Sequence, residues 1–320
     1  AARAHARGRP GVALGLLPAR GMAPLERLLA ARLLLDMEQP RDARELLSGL
    51  VADLPHMRDM IRFMQGQALA GEGRHVQAAA RFRDAARTPD SRWIDRAWRA
   101  RADALFAAGK VRRAAREYRH INRIHPDDPR RPSVTVRLAL CSARRGRISA
   151  AARVLQRVWL DHPESDGARQ ARTHLDRLLA RGARVRPPPL EALLYRVRRL
   201  RRAKRYQEAY YELDALEKQR DLSAEEQDTV ALERAQTLYR NDRPTAALAE
   251  LQRRFLDGAR FRSRAARSLA ALCLGLAGRV DEGLALLLRA RRGGVRRAAR
   301  YLAMHGRHAE ALALERRLLA

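Results

Sequence analysis

Few residue clusters in this chain have the capacity for chemistry, and most are loosely set. His305 and His308 stand three residues apart with Glu310 close by. A metal site needs a closer ligand set held by supporting hydrogen bonds, so this stretch reads as a turn carrying solvated histidines. Cys141 and Cys273 are the only two cysteines; they fall mid-helix in separate segments and read as small core residues. There is no HExxH, no zinc-type Cys/His cluster and no phosphate-cradling glycine loop. The remaining cluster is cationic: Arg196, Arg198, Arg199, Arg201, Arg202, Lys204 and Arg205, with a second arginine-rich stretch at Arg289–Arg300. Guanidinium groups in this number point to an anionic partner such as RNA, held through its phosphates with steep salt dependence. No catalytic residue, cofactor or metal is expected in these residues.

The whole chain shares that bias. Its 320 residues carry 66 Lys and Arg against 36 Asp and Glu, a formal net charge of +30. Only Lys110, Lys204 and Lys218 are lysines; the rest of the positive charge is arginine, which a GC-rich coding sequence also produces. The charge favours acidic partners, anionic polymers and lipid surfaces. Against an RNA reader, aromatic residues are 5% of the chain, and Trp98, Phe82 and Tyr118 fall at packing positions, leaving few rings for base stacking. No apolar run approaches the ~20 residues of a membrane helix. The chain opens AARAHARGRP, with neither a methionine nor a signal-peptide apolar core, and reads as cut from something longer.

The elements that position these groups are clearest at Ser91–Pro126. Apolar spacing predicts a helix over Ser91–Ala107, a turn at Ala108-Gly109-Lys110 and a second helix over Val111–Ile124. Trp98, Ala102 and Leu105 form one stripe; Ala114, Tyr118 and Ile121 form the other. Gly109 gives the turn its backbone freedom, and Pro126 blocks further helix. Trp98, Ala102, Leu105, Gly109, Ala114, Tyr118 and Pro126 occupy the signature positions of the tetratricopeptide repeat, a helical hairpin of about 34 residues, and the segment resembles that family. Arg101 departs from the leucine usual at its position.

The turn signature Gly-[Arg/Lys]-x-x-x-Ala recurs along the chain. It occurs at Gly8…Ala13, Gly73…Ala78, Gly109…Ala114, Gly146…Ala151 and Gly306…Ala311. Degenerate copies start at Glu38, Lys204, Asp242 and Gly278. From Glu38 to Gly146 the anchors are 35, 36 and 37 residues apart, and from Lys204 to Gly278 they are 38 and 36 apart. This regularity predicts an all-α, TPR-like α-solenoid, a right-handed superhelix of about eight to nine antiparallel helix hairpins, each burying its apolar face on its neighbours. Helix pairs are expected at Pro24–Leu35 with Arg41–Leu54, His56–Leu69 with His75–Arg87, Ser133–Ala143 with Ile148–Leu160, Leu190–Arg202 with Tyr206–Gln219, Phe261–Leu276 with Asp281–Arg291, and Val295–Met304 with His308–Leu319. Another pairs a helix capped by Ser223-x-x-Glu226, running to about Arg240, with Thr245–Leu256. From Gly146 to Lys204 is 58 residues; the excess reads as an extra helix at 167–181 and a stiff segment ending Pro187-Pro188-Pro189. The expected organisation is array I at 1–186, starting mid-repeat, and array II at 187–320, ending without a capping helix.

The motif Pro163-x-Ser165-x-x-Ala168-x-x-Ala171 resembles the P-x-S-x-x-A-x-x-A junction of periplasmic tetratricopeptide-like proteins. These include the outer-membrane assembly lipoprotein, the Tol-Pal coordinator and the superhelical amino-terminal region of soluble lytic transglycosylases; His162 stands where those proteins usually have tyrosine. The resemblance implies a periplasmic or cell-envelope scaffold. Glu164-Ser165 and Met64-Gln65 echo elements of the transglycosylase catalytic domain, but they fall on repeat positions 99 residues apart and without its aromatic and glycine-rich surroundings. This segment is therefore expected to be non-catalytic, with any lysozyme-like domain beyond Ala320. The expected partner is a protein or peptide, with peptidoglycan as a further candidate. The alternative is a cytoplasmic, arginine-rich repeat binder of RNA or another anionic polymer.

Overall fold

A computed structural model describes residues 10–18, 21–88, 91–257, 260–289 and 293–319. The turn expected at Gly8 lies outside these residues. Each helix pair is closed by one left-handed residue. Gly73, Gly109, Gly146, Gly278 and Gly306 have φ between 72° and 81°, and the degenerate anchors Glu38, Lys204 and Asp242 adopt the same conformation at 59°, 59° and 54°. The turn geometry is therefore kept even where glycine has been lost. In each of these turns the residue after the anchor returns its N–H to a carbonyl five residues back, as Lys110 does to Leu105 at 2.9 Å, which satisfies an orphan carbonyl of the first helix.

The chain folds into two compact units, Ala1–Arg186 and Pro187–Ala320. Unit 1 contains α1 (Pro10–Gly15), α2 (Pro24–Asp36), α3 (Pro40–Leu46), α4 (Leu50–Asp53), a 3-10 turn at Pro55–Met57, α5 (Arg58–Gly71), α6 (His75–Ala86), α7 (Ile94–Ala107), α8 (Val111–Ile124), α9 (Arg131–Arg144), α10 (Ile148–Asp161) and α11 (Asp166–Ala180). Each second helix packs on its own first helix and on the next one, so α8 and α10 both lie against α9. Phe63, Phe82, Ala102, Ala114, Tyr118 and Cys141 belong to one buried cluster that runs through three successive hairpins. Trp98 is half-buried at its edge, and Ala78 and Ala151 are buried as their register requires.

One expected helix is broken. Arg41–Leu54 is not continuous: α3 ends at Leu46, Gly49 turns left-handed at φ 76°, and the short α4 follows. Small residues elsewhere mark close approaches. A methyl group on Gly66 would lie 2.6 Å from the Phe82 ring, and one on Gly167 would lie 2.6 Å from the backbone of Pro132 and Ser133.

The extra helix is α11, whose N-terminus is capped by Ser165: the Ala168 N–H donates to its hydroxyl at 3.1 Å. α11 packs on α9 and α10 in the position a further first helix would take. An extended segment then runs back along α10. The Arg184 N–H donates to Ser149 at 2.9 Å, and the Gln156 side chain donates to the Arg186 carbonyl at 3.0 Å.

Unit 2 contains α12 (Leu190–Arg202), α13 (Tyr206–Gln219), α14 (Ala224–Arg240), α15 (Pro244–Phe255), α16 (Arg264–Leu276), α17 (Val280–Leu288), α18 (Gly293–Met304) and α19 (His308–Leu319). Ser223 and Glu226 form the expected capping box at the start of α14. Phe261 does not begin a helix. It lies in a two-residue strand, β2 (Arg260–Phe261), paired antiparallel with β1 (Leu256–Asp257). There it is buried, and Ser263 caps α16 instead. The unit's largest cluster joins Ala235, Leu251, Phe255, Phe261, Ala270 and Cys273. Burial pushes both cysteine thiols up to about 11.

Candidate partner-binding surface

Arg101, the departure from the repeat pattern, has a structural partner. It lies on α7 within 3.2 Å of Glu117 on α8, with its guanidinium 5.1 Å from the centre of the Trp98 ring. The same register recurs in unit 2. Arg196 on α12 donates to both carboxylate oxygens of Glu212 on α13 at 2.6–2.9 Å, and Arg234 on α14 pairs with Glu250 on α15 at 3.0 Å. Each pair spans 16 residues and ties the two helices of one hairpin together. Charge-assisted, bidentate geometry makes such contacts stronger than neutral hydrogen bonds. Arg234 also pairs with Glu217 on the preceding hairpin. Burial works against its charge, but the Glu217 hydrogen bond and the Glu250 carboxylate outweigh it and hold the guanidinium above its ordinary range.

Much of the arginine locus is engaged within the fold. Arg196 is not on an exposed face; it is buried against Glu212. Arg198 and Arg201 converge on Glu233 at 2.6 and 2.7 Å, linking α12 to α14. The hydrogen bond to Glu233 raises the Arg198 guanidinium above its usual range. Arg205 pairs with Glu208 at 2.5 Å. Arg199 is half-buried, whereas Arg202 and Lys204 are exposed at the helix end. Arg196, Arg198 and Arg201 therefore staple helices together, and Arg202 and Lys204 stay open to solvent. In the second stretch, Arg297 donates to Ser268 across to α16.

A different surface runs along the first helices of unit 1. Arg144 on α9 donates to the Phe106 carbonyl at the end of α7 at 2.7 Å, and its guanidinium sits 3.7 Å from the centre of the Phe106 ring. Arg137 on α9 approaches Asp103 on α7 at 3.7 Å, and Asp103 accepts a hydrogen bond from the Tyr118 hydroxyl. Arg99 pairs with Asp128 ahead of α9 at 2.9 Å. First helices thus sit side by side, cross-linked by arginines that remain partly exposed. On α5, Gln67 Oε1 is buried without a hydrogen-bond partner.

In unit 2, Tyr206, Tyr210, Thr237, Asn241, Arg243 and Arg253 line a cleft of about 480 Å³ between α13, the end of α14 and α15. The same cleft reaches Glu250, which is already engaged by Arg234 and Arg253. Among the described residues, no group of three or more His, Cys, Asp or Glu is placed to hold a metal ion, and no helix is long and apolar enough to cross a membrane. His308 is exposed at the start of α19; Glu310 is held below the usual carboxylate range by hydrogen bonds from Arg307.

Residues 28–92 and 99–161 match the family described as Tetratricopeptide repeat. No curated protein sequence matches the chain. Among solved structures, it is similar to a tetratricopeptide repeat protein from Parabacteroides merdae, with 11% identity, a TM-score of 0.38, and 93% of this chain and 99% of that one covered. It is also similar to the nearly identical TPR-like repeats of a kinesin light chain from Podosopora anserina, with 18% identity, a TM-score of 0.37, and coverage of 62% and 99%. The TPR2AB-domain–pHSP90 complex of yeast Sti1 matches at 15% identity and a TM-score of 0.32, with coverage of 82% and 97%.

Proposed function

With residues 28–92 and 99–161 taken as tetratricopeptide repeats, we propose that this chain is a non-catalytic scaffold that holds a protein or peptide partner along the first helices of unit 1. The observation that carries this reading is the row formed by α7 and α9, where Arg137 and Arg144 bridge neighbouring helices while staying open to solvent. Guanidinium groups so placed suit an acidic segment, because their planar fork matches carboxylates.

An envelope setting belongs to the same proposal. It is supported by the junction at Pro163–Ala171, where Ser165 caps α11 and Gly167 permits tight packing on α9. A peptidoglycan-associated role, as the superhelical arm of a lytic transglycosylase, is its most specific form.

The test is an array of acidic, neutral and basic peptides probed at about physiological salt, where surface charge alone is well screened. The 320-residue chain should bind a subset of acidic peptides saturably, and Arg137→Glu with Arg144→Glu should abolish that binding without loss of helicity. Equal binding by the wild type and the variant would retire the reading. For the envelope setting, the tagged full-length gene product should appear in the periplasmic fraction; recovery in the cytoplasm alone would remove it.

A further inference from the structure

The second helices of unit 1 carry a concentration of positive charge that the proposed scaffold role does not use. On α8, helical spacing puts Arg112, Arg116, Arg119 and Arg123 on one exposed stripe, away from buried Ala114, Tyr118 and Ile121. Arg113 flanks it. The one acidic residue of this helix, Glu117, is turned inward to Arg101. On α10, Arg153 and Arg157 are exposed in the same way, and the only carboxylate is Asp161 at the helix end. The extended segment that runs back along α10 adds exposed Arg184 and Arg186. Because α8 and α10 both pack on α9, their stripes flank one stretch of surface.

Elsewhere in the protein arginines are widely engaged by carboxylates. Here Arg112, Arg116, Arg153 and Arg157 form no ion pair with any described residue. Apolar side chains are interspersed among them. Val154 is 40% exposed between the two α10 arginines, and Ile124 is 43% exposed next to Arg123. On α8 Tyr118 is buried and His120 lies edge-on against Trp98, and on α10 the Trp159 ring is covered by the Arg172 guanidinium at 5.1 Å, so the rings near these stripes are already engaged rather than free to stack on bases. A branched aliphatic residue gains nothing from a phosphate backbone, but it partitions into the headgroup region of a bilayer while arginine stems lie along the same boundary.

From this combination we propose that the outer face of α8 and α10 docks on an anionic phospholipid surface. Basic residues near such a surface each strengthen binding by about fivefold, and the effect fades over a Debye length. The surface is separate from the first-helix row, so one chain can hold a partner on one side and a membrane on the other.

The experiment is vesicle flotation with the 320-residue chain. The vesicles are phosphatidylcholine alone or with about one third phosphatidylglycerol, at low and raised salt. The chain should float only with the anionic vesicles. Replacing Arg112, Arg116, Arg153 and Arg157 with Gln should weaken binding by roughly a hundredfold or more. A second variant, with Arg202, Lys204, Arg240 and Arg243 changed to Gln, carries the same charge loss in unit 2 and should bind nearly as the wild type. Val154→Ser should weaken vesicle binding severalfold and leave adsorption to a 20-nucleotide RNA unchanged. Equal loss in the two quadruple variants would overturn the proposal, as charge alone would then suffice. Absence of vesicle binding, with RNA binding that disappears in the α8/α10 variant, would overturn it in favour of a nucleic-acid surface.

Discussion

Arg234 and Glu250 stand 16 residues apart in the sequence and 3.0 Å apart in the fold, in the same register as Arg101 with Glu117 and Arg196 with Glu212. At this position, where the pattern the sequence resembles usually has leucine, unit 2 holds a buried cation with a carboxylate opposite it. Replacing Arg234 with Met leaves Glu250 half-buried, with the exposed Arg253 as its one remaining ion-pair partner among the described residues. The loss of a buried pair's partner costs on the order of 3 kcal/mol. Urea denaturation should show that loss. Changing Arg234 and Glu250 together to apolar residues should recover most of it, and a double variant as unstable as the single one would refute the pairing argument.

The left-handed anchors make the opposite prediction. Lys204 has φ 59° with an ordinary side chain, and that conformation costs an L-residue about 1–2 kcal/mol. Lys204→Gly should therefore stabilise the protein, by about 0.5–1 kcal/mol once glycine's extra unfolded-state freedom is subtracted. Asp242→Gly should gain less, because Asp tolerates this region better. Gly109→Ala should lose about 1 kcal/mol, although a methyl there meets no atom within 4 Å. The cost comes from the backbone alone. Thermal melts of the three variants rank the effects.

At the Pro163–Ala171 junction the constraint is steric. The neighbours of Gly167 are backbone atoms of Pro132 and Ser133, which cannot rotate away. Gly167→Ala should cost about 1–3 kcal/mol, the usual penalty of overpacking, and should loosen α11 from α9. Limited proteolysis should then cut between Asp161 and Asp166 faster than in the wild type. An unchanged digestion pattern would show that the junction is not a packing point.

Cys141 and Cys273 are buried and their thiols titrate at about 11. A thiol-specific reagent at neutral pH should label neither until the chain unfolds, since thiolate and access are both lacking. The folded pKa lies above the unfolded value, so this contribution is fully present below pH ~9 and declines as pH rises toward 11. Melting temperature should fall across that window. Fast labelling of the native protein would contradict the burial.

The turns were legible because a short helix–helix connection needs a positive φ, and spacing identified those positions even at Glu38, Lys204 and Asp242. Ser165 and Ser223 were legible because caps have a fixed chemistry. The hairpin-locking pairs were not. An arginine on a helix reads as solvated, and only the coincidence of Arg and Glu 16 residues apart in three hairpins distinguishes Arg101, Arg196 and Arg234 from their neighbours. The ion pairs around Arg198 were hidden for the same reason; Glu233, 35 residues away, is adjacent only after the hairpins stack. The β1–β2 ribbon was missed because a two-residue strand has no periodicity to detect.

The break at Gly49 has a thermodynamic consequence. It leaves the second helix of the α2 hairpin as pieces of seven and four residues, each too short to hold its own backbone hydrogen bonds in water. They persist only while Leu47, Leu50 and Leu54 stay in the cluster with Leu28 and Ile61. Their amides should exchange with deuterium ahead of those in α6 or α8, through an opening that leaves later hairpins folded. Heat or denaturant thus finds its first foothold within unit 1 at this split helix, and the array frays from there one hairpin at a time.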